Sequence, residues 1–341
     1  MQAQNEPNRQ LAFYEITNVS GKSDGNGRLP DTVWQNIPVT HIGYVYWKME
    51  PIPSDLKTDL QIAYDDQGIY LKITNYDENL DKIRAHILKR GNPSLWTDDC
   101  IELYIDPQAS AVGYMVFTIN SLGVQMERKQ QDTAVSINEW RGDNWQTWAS
   151  KTEDAWVIEI SIPFADMDAT AEPGSFWMFN AVRYAYSSGK FQGATWSPGA
   201  NYAKPGYFGY LYFGDKETTS AKAVANLLQE KVTPPWIISV NNKILWYEGE
   251  EKVEILSPPE AGETALQAAE NIFTKLEPFQ EKNPELAEQL NQLKQETKSL
   301  TFPDADTALE SMREISNVTQ QAWMLYWNAS IEALINTEVE N

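Results

Sequence analysis

The chain carries one cysteine, Cys100, and two histidines, His41 and His86. A single thiol excludes an internal disulfide and any zinc cluster built from cysteines. Two imidazoles leave little room for a multi-histidine metal site or a serine–histidine–aspartate triad. No run of 18 apolar residues occurs, so no segment reads as a membrane span. Positive charge is short as well: 27 Lys and Arg face 48 Asp and Glu in 341 residues, a net charge of −21 with a pI near 4.5. Nucleic-acid phosphates and anionic membrane surfaces would repel such a chain. A neutral ligand such as a sugar is compatible with it, as are divalent cations, and acidity also serves plain solubility. The first ten residues, MQAQNEPNRQ, lack the basic-plus-apolar pattern of a signal peptide. They fit a mature secreted chain whose signal has been removed.

Tryptophan is plentiful. Nine of the 13, from Trp34 to Trp196, fall before residue 200. Large rings can fill the core of a β-sandwich or lie flat against ligands. Strand patterns recur through the same region. Leu60, Ile62 and Tyr64 alternate with polar or small residues, as do Ile69, Leu71 and Ile73, and Asp65-Asp66-Gln67-Gly68 between them reads as a hairpin turn. Met115, Phe117 and Ile119 are expected to point inward, as are Trp156, Ile158, Ile160 and Ile162. Phe176–Tyr186 is aromatic on both faces, and Tyr207–Phe213 closes the series. Short strands with turn signals every 8–15 residues and no helical period predict an all-β sandwich over residues 10–214.

Beyond residue 214 the pattern changes. Trp236–Val240 and Lys243–Tyr247 flank Asn241-Asn242 as a short hairpin. Leu266, Ala269, Phe273 and Leu276 then follow a helical period, Pro284 opens a second helix, and residues 305–335 predict a third. The expected divisions are 1–214, a connecting segment 215–259, and a helical hairpin region 260–341. The last 127 residues carry 22 acidic and 10 basic side chains. That charge fits solvated helix faces, or an arm through which a protein partner docks.

The stretch Trp96-Thr97-Asp98-Asp99-Cys100-Ile101-Glu102-Leu103-Tyr104-Ile105-Asp106 organises the search for a site. Ile101, Leu103 and Ile105 share one strand face, while Cys100, Glu102 and Tyr104 share the other. A carboxylate and a phenol on the outer face, with an indole at the entry, suit either a polar binding wall or an ordinary acidic surface. Asp98 and Asp99 fit three roles: turn, calcium ligand or sugar ligand. Asp65, Asp66, Asp106, Asp143 and Asp154 also sit at strand ends where oxygen ligands could gather around Ca²⁺, or where turns need capping. Glycoside hydrolysis needs two carboxylates facing each other, and no spacing pairs Glu102 with Glu127 or Glu159. The reading is therefore of recognition rather than catalysis. Arg183 shares its strand face with Trp177, Phe179 and Ala181, which also suits a guanidinium at a core edge.

The order of motifs resembles the family 9 carbohydrate-binding module and its wider family of similar β-sandwich domains. The series runs Asp24-Gly25 with Trp34, Tyr64-Asp65-Asp66…Ile69-Tyr70-Leu71, Trp96…Glu102 and Phe117-Thr118-Ile119-Asn120…Gly123. It continues with Trp156…Glu159…Ile162-Pro163, Phe179-Asn180…Arg183, Trp196-Ser197-Pro198 and Phe208-Gly209. The resemblance implies a jelly-roll-like β-sandwich, followed here by the helical region. It implies a non-catalytic sugar-binding role beside glycoside hydrolases in secreted, periplasmic or cell-surface polysaccharide breakdown, and a structural Ca²⁺. In that family two tryptophans hold the sugar while a glutamate and an arginine bind its hydroxyls. The matching positions are Trp96, Trp196, Glu102 and Arg183. Two departures stand out. Gln192 is the amide nearest Trp196, and Gln125 or Arg128 must stand in for another basic residue of the family's site. Related sandwiches hold haem, so the alternative is an electron-transfer sandwich with a methionine, a lysine or His86 as axial ligand. A further alternative is a structural or docking protein whose sandwich has lost its ligand.

Overall fold

Apolar alternation lays down the long strands, and polar turns separate them. The computed structural model describes residues 9–24, 27–132, 135–137, 140–214, 220–249, 252–280 and 283–339. The N-terminal tail and the Gly25-Asn26 part of the expected turn lie outside these residues. The strands of four or more residues are β1 (Thr58–Tyr64), β2 (Gly68–Tyr76), β3 (Cys100–Asp106), β4 (Tyr114–Asn120), β5 (Gln125–Gln130), β6 (Gln146–Lys151), β7 (Ala155–Pro163), β8 (Phe176–Ala185), β9 (Gln192–Thr195) and β10 (Gly209–Tyr212). These belong to one compact unit, Leu11–Thr219.

Two sheets make this unit. A nine-stranded sheet runs in the order Ser136–Ile137, β5, β4, β3, β8, β9, Tyr44–Val45, with β10 also on β8 and Phe13–Glu15 on β10. A six-stranded sheet runs β6, β7, β2, β1, Thr17–Asn18, with Thr40–His41 also on β1. Pairing is antiparallel except where the N-terminal segment joins. Phe13–Glu15 runs parallel to Tyr210–Tyr212, and Thr17–Asn18 runs parallel to Ala63–Tyr64. Six residues, Phe13 to Asn18, thus lace one sheet to the other in a chain that has no disulfide to do so.

The inward sets expected from alternation all meet between the sheets: Leu60 and Ile62, Leu71 and Ile73, Ile101 and Leu103, Phe117 and Ile119, Trp156 and Ile158. Burying such side chains is the main stabilising force, about 1.5–3 kcal/mol each. At the β1–β2 hairpin, Asp65 accepts from the Gln67 and Gly68 amides (2.8 and 3.2 Å) and from Tyr70 OH (2.8 Å). Gly68 is required there because a Cβ would lie 2.3 Å from the Ile162 carbonyl oxygen. Strand β5 was not anticipated. Its sequence, Gln-Met-Glu-Arg-Lys-Gln, carries one apolar residue.

The other compact unit comprises Met1–Gln10 and Ser220–Asn341. It contains β11 (Trp236–Val240), β12 (Lys243–Tyr247) and β13 (Glu254–Leu256), with Arg9–Gln10 parallel to β11. Asn241 and Asn242 turn the β11–β12 hairpin at φ of 50° and 56°, the left-handed region that asparagine tolerates. Four helices of more than ten residues follow or precede it: α1 (Ala221–Lys231), α2 (Pro258–Gln280), α3 (Pro284–Lys298) and α4 (Ala305–Val339). Ser257 and Glu260 close a capping box at α2, and the Asn283 side chain caps α3 through the Leu286 amide at 3.0 Å. Phe273, Leu276, Leu290, Leu293 and Ile315 form their shared core. The contact pattern groups residues 220–259 with these helices. Toward its end α4 leaves Met324, Trp327, Ile331 and Leu334 exposed. Among the described residues no helix is long and apolar enough to cross a membrane.

Candidate functional site

Strand β3 lies in the middle of the nine-stranded sheet, between β4 and β8. Glu102 pairs with Thr118 on β4 and with Val182 on β8. Val116 pairs in turn with Arg128 on β5. Since Ile101 and Leu103 enter the core, Glu102, Tyr104, Thr118, Arg128 and Tyr184 share the opposite face. There they converge. The Glu102 carboxylate accepts from Tyr104 OH, Thr118 Oγ1 (3.1 Å), Tyr184 OH (3.2 Å) and Arg128 Nη1 (3.4 Å). Four donors match the roughly four lone-pair positions of an ionised carboxylate.

Aromatic rings ring this cluster. Tyr46 OH meets Tyr184 OH at 3.1 Å. Phe191 packs on Tyr184 (centroids 5.7 Å apart) and on Tyr186 (5.4 Å). Tyr186 OH reaches the Trp96 carbonyl at 3.2 Å, and the Arg84 guanidinium covers the Tyr186 ring at 4.4 Å. Trp96 and Phe191, 49% and 51% exposed, thus flank Tyr186. Trp47 sits nearby, edge-on to Tyr46 and to Tyr202, with φ of +72°. A bulky residue rarely adopts that backbone conformation, and such strain tends to persist at binding sites. Gly193 has to be a glycine here, because a Cβ would meet Tyr46 at 2.8 Å and Phe191 at 3.0 Å.

The phenols stay neutral. Burial pushes Tyr46 and Tyr114 up to about 12, and the Glu102 charge adds to that push. Burial likewise drives Tyr104 and Tyr184 well above the ordinary tyrosine range, again reinforced by Glu102. Burial opposes the charge on Arg128, but Glu102 and the phenols outweigh it and leave the guanidinium's pKa above its ordinary value.

The four residues expected to hold a sugar are not brought together. Trp96 and Glu102 lie on or beside the outer face. Arg183 pairs with Ile101 and projects into the core side, wholly buried. Its Nη2 meets Asp77 Oδ2 at 2.9 Å, and its Nη1 donates to the Lys57 carbonyl (3.2 Å), Thr58 Oγ1 (3.1 Å) and the Tyr76 carbonyl (2.9 Å). Burial lowers its pKa to about 10 against the pull of Asp77. Trp196, 3% exposed, packs edge-on to Phe179 inside the core and donates to Thr40 Oγ1 at 3.1 Å. The sheet therefore stands between Glu102 and both of these residues, and neither can touch a ligand that Glu102 holds. Arg128 is the cation that Glu102 meets. Gln125 belongs to the other face of β5, because it pairs with core residue Ile119.

Three of the aspartates expected as calcium ligands accept backbone and side-chain N–H groups. Asp98 accepts from the His86 and Ile87 amides and from Asn120 Nδ2, and Asp99 from the Arg84 and Tyr186 amides. Asp106 accepts from the Gln108, Ser110 and Ala111 amides. Among the described residues no three acidic, His or Cys side chains gather as a metal site. His86 is exposed. The other strand glutamates are bound structurally. Glu159 takes a bidentate Arg28 (3.0 and 2.6 Å) and the Trp34 indole, while Glu127 takes the Trp145 indole and Arg90. Glu102 and Glu159 face away from each other across the core.

Sequence reasoning missed Tyr46, Tyr184 and Phe191 as site residues. Alternation along β8 carries the signal for Tyr184, which is two residues on from Val182. Phe191 lies just outside β9, where no period exists to place it.

Residues 24–215 match the model of the carbohydrate family 9 binding domain-like family. Three solved structures are similar. A proposed carbohydrate-binding protein from Bacteroides uniformis is 17% identical, with 60% of this chain and 100% of that chain covered at a TM-score of 0.47. A family 9 carbohydrate binding module from Caldicellulosiruptor kristjanssonii in complex with glucose is 14% identical, covering 61% and 99% at 0.44. Another structure of a family 9 module from that organism, with cellotriose, is 14% identical, covering 62% and 97% at 0.41. No curated protein matches.

Proposed function

We propose a sugar-binding function from one premise: the chain belongs to the carbohydrate family 9 binding domain-like family. The site is the outer face of the nine-stranded sheet. A saccharide stacks on Trp96 and Phe191, and its hydroxyls meet Glu102 and Arg128. The observation that carries this reading is a buried carboxylate, ringed by hydroxyl donors, on a face beside which Trp96 and Phe191 stay half-exposed.

The chemistry suits a neutral polyol. Covering about 100 Å² of ring-facing apolar surface contributes roughly 2.5 kcal/mol, which alone gives weak binding. Charge-assisted hydrogen bonds from Glu102 and Arg128 to hydroxyls add direction and strength. All four Glu102 acceptor positions are taken, so a sugar hydroxyl enters by replacing Tyr184, the neighbour on which Phe191 rests. Held this way, Glu102 is a fixed acceptor, and the protein recognises its sugar without cleaving it. A place in polysaccharide degradation at a secreted or cell-surface location belongs to the same proposal.

Tryptophan fluorescence during titration with glucose, cellotriose and xylo-, manno- and malto-oligosaccharides tests it. Trp96→Ala and Phe191→Ala should each weaken binding about tenfold or more, near 1.4 kcal/mol. Trp196→Phe should leave affinity unchanged. Silence across every sugar class, or binding indifferent to both alanine variants, would remove the assignment.

A further inference from the structure

We propose a second saccharide subsite at the open edge of the sandwich, where β6 meets the turn between β4 and β5. A cavity of about 620 Å³ opens there, lined by Arg90, Gln125, Asp143, Asn144, Thr147 and Trp148 among others. Small-ligand sites commonly measure about 300–1,000 Å³. Strand β6 is the edge of its sheet, so the cavity is bounded by side chains and by an unshared strand margin.

The lining is oriented. Gln125 Nε2 donates to the Trp145 carbonyl (3.2 Å) and to Thr147 Oγ1 (3.4 Å), and Thr147 Oγ1 donates to the Gly123 carbonyl (2.9 Å). Asn144 Nδ2 donates to Asp166 Oδ1 at 2.8 Å. Both amide NH₂ groups are therefore turned into the protein. Among the described residues no donor meets Gln125 Oε1 or Asn144 Oδ1, which leaves two amide acceptors for hydroxyl groups.

The charges narrow the ligand. Arg90 Nη2 is already shared by Glu127 Oε2 (3.3 Å) and the Gly142 carbonyl (2.9 Å), so its charge is compensated and an anion gains little. Asp143 is the one carboxylate of the lining, so a divalent cation would find little compensating charge there. An apolar ligand would leave the two amide oxygens without water or partners. Trp148, half-buried on the margin strand and paired with Glu159, offers its ring at the outward rim of the cavity. A neutral polyol with one apolar face satisfies all four conditions, and a saccharide is such a molecule.

This subsite owes nothing to the Glu102 reading. Gln125 and Glu102 lie on opposite faces of the nine-stranded sheet, as their pairing with Ile119 and Thr118 fixes. Two sites on one chain would let a polysaccharide be held at two points, with a gain in avidity.

Isothermal titration of the full chain with cellotriose, xylotriose, mannotriose and maltotriose decides it. The Phe191→Ala chain, with the first site weakened, should still bind at least one trisaccharide at one equivalent with unaltered affinity. Adding Trp148→Ala should weaken that binding at least tenfold. Gln146→Ala, an exposed change on the same lining, should weaken it about threefold, and it serves if the tryptophan variant fails to fold. Wild-type binding that Phe191→Ala abolishes would keep the first site and overturn this one. Binding that Phe191→Ala leaves intact but Trp148→Ala removes would keep this one and overturn the first. No trisaccharide bound by the Phe191→Ala chain, or binding indifferent to both Trp148→Ala and Gln146→Ala, ends the proposal.

Discussion

The two faces of the nine-stranded sheet each bury a guanidinium against a carboxylate, yet they hold it in different ways. On the core face, Arg183 and Asp77 close to 2.9 Å, and backbone carbonyls of residues 57 and 76 take two more of the guanidinium's hydrogen bonds. On the outer face, Arg128 and Glu102 stand at 3.4 Å, and the remaining partners of Glu102 are hydroxyl groups of Tyr104, Thr118 and Tyr184. A carbonyl in a strand ladder cannot turn without breaking the ladder. A hydroxyl turns about one C–O bond. The Arg183 guanidinium is thus fixed to the fold by two carbonyls, whereas the Glu102 carboxylate can exchange one hydroxyl partner for another. That exchange suits the face on which the saccharide is proposed to bind.

Three experiments sharpen that contrast. Arg183→Ala should have the largest effect, because it strands Asp77 beside Ser187 in the core. Removing one partner of such a pair costs about 3–5 kcal/mol, read as a lower denaturant midpoint. Replacing Asp77 with Asn in the same chain should recover part of the loss. Glu102→Gln keeps the shape of its side chain but loses the charge facing Arg128, so stability should fall by about 1–3 kcal/mol. Sugar affinity should drop tenfold or more in the folded variant. Equal unfolding by both substitutions would erase the distinction between the faces.

The smallest effect is confined to alkaline solution. Tyr46 and Tyr114 are held at about 12 by burial, above the ordinary tyrosine value of 10.0 that applies to the unfolded chain. A raised folded value means their contribution is complete below pH 10 and is lost as pH climbs through about 12. Denaturant midpoints should therefore be flat from neutrality to pH 10 and fall beyond it. Tyr46→Phe should soften the decline.

Several of these features were legible in the sequence. Period-two alternation gave the inward sets of the core strands and placed Glu102 on the opposite face from Ile101. The same rule placed Arg183 beside Phe179 and Ala181, on the core side, where it was found. Family position assigned it to the sugar instead, and strand geometry prevailed. Trp196 lies just past β9, at a bend where alternation ends, so its entry into the core depends on contact with Phe179 from a different strand. Strand β5 was hidden for another reason. Its two inward-or-outward choices are Glu127 and Arg128, charged residues that are stabilised only by Trp145, Arg90 and Glu102 from distant segments. No local window contains those partners.

The N-terminal lace also sets an order of events. Phe13–Glu15 completes its ladder on Tyr210–Tyr212, so the first strand of the sandwich waits for the last. At ribosomal speeds of about 5–20 residues per second, close to two hundred residues take roughly 10–40 s to follow. For that interval Phe13–Glu15 has no partner from its own sheet, because β10, on which it pairs, is not yet made. The six-stranded sheet is less delayed, since β7 ends at Pro163. Synthesis thus delivers one sheet before the other, and the two are tied together by the segment made first.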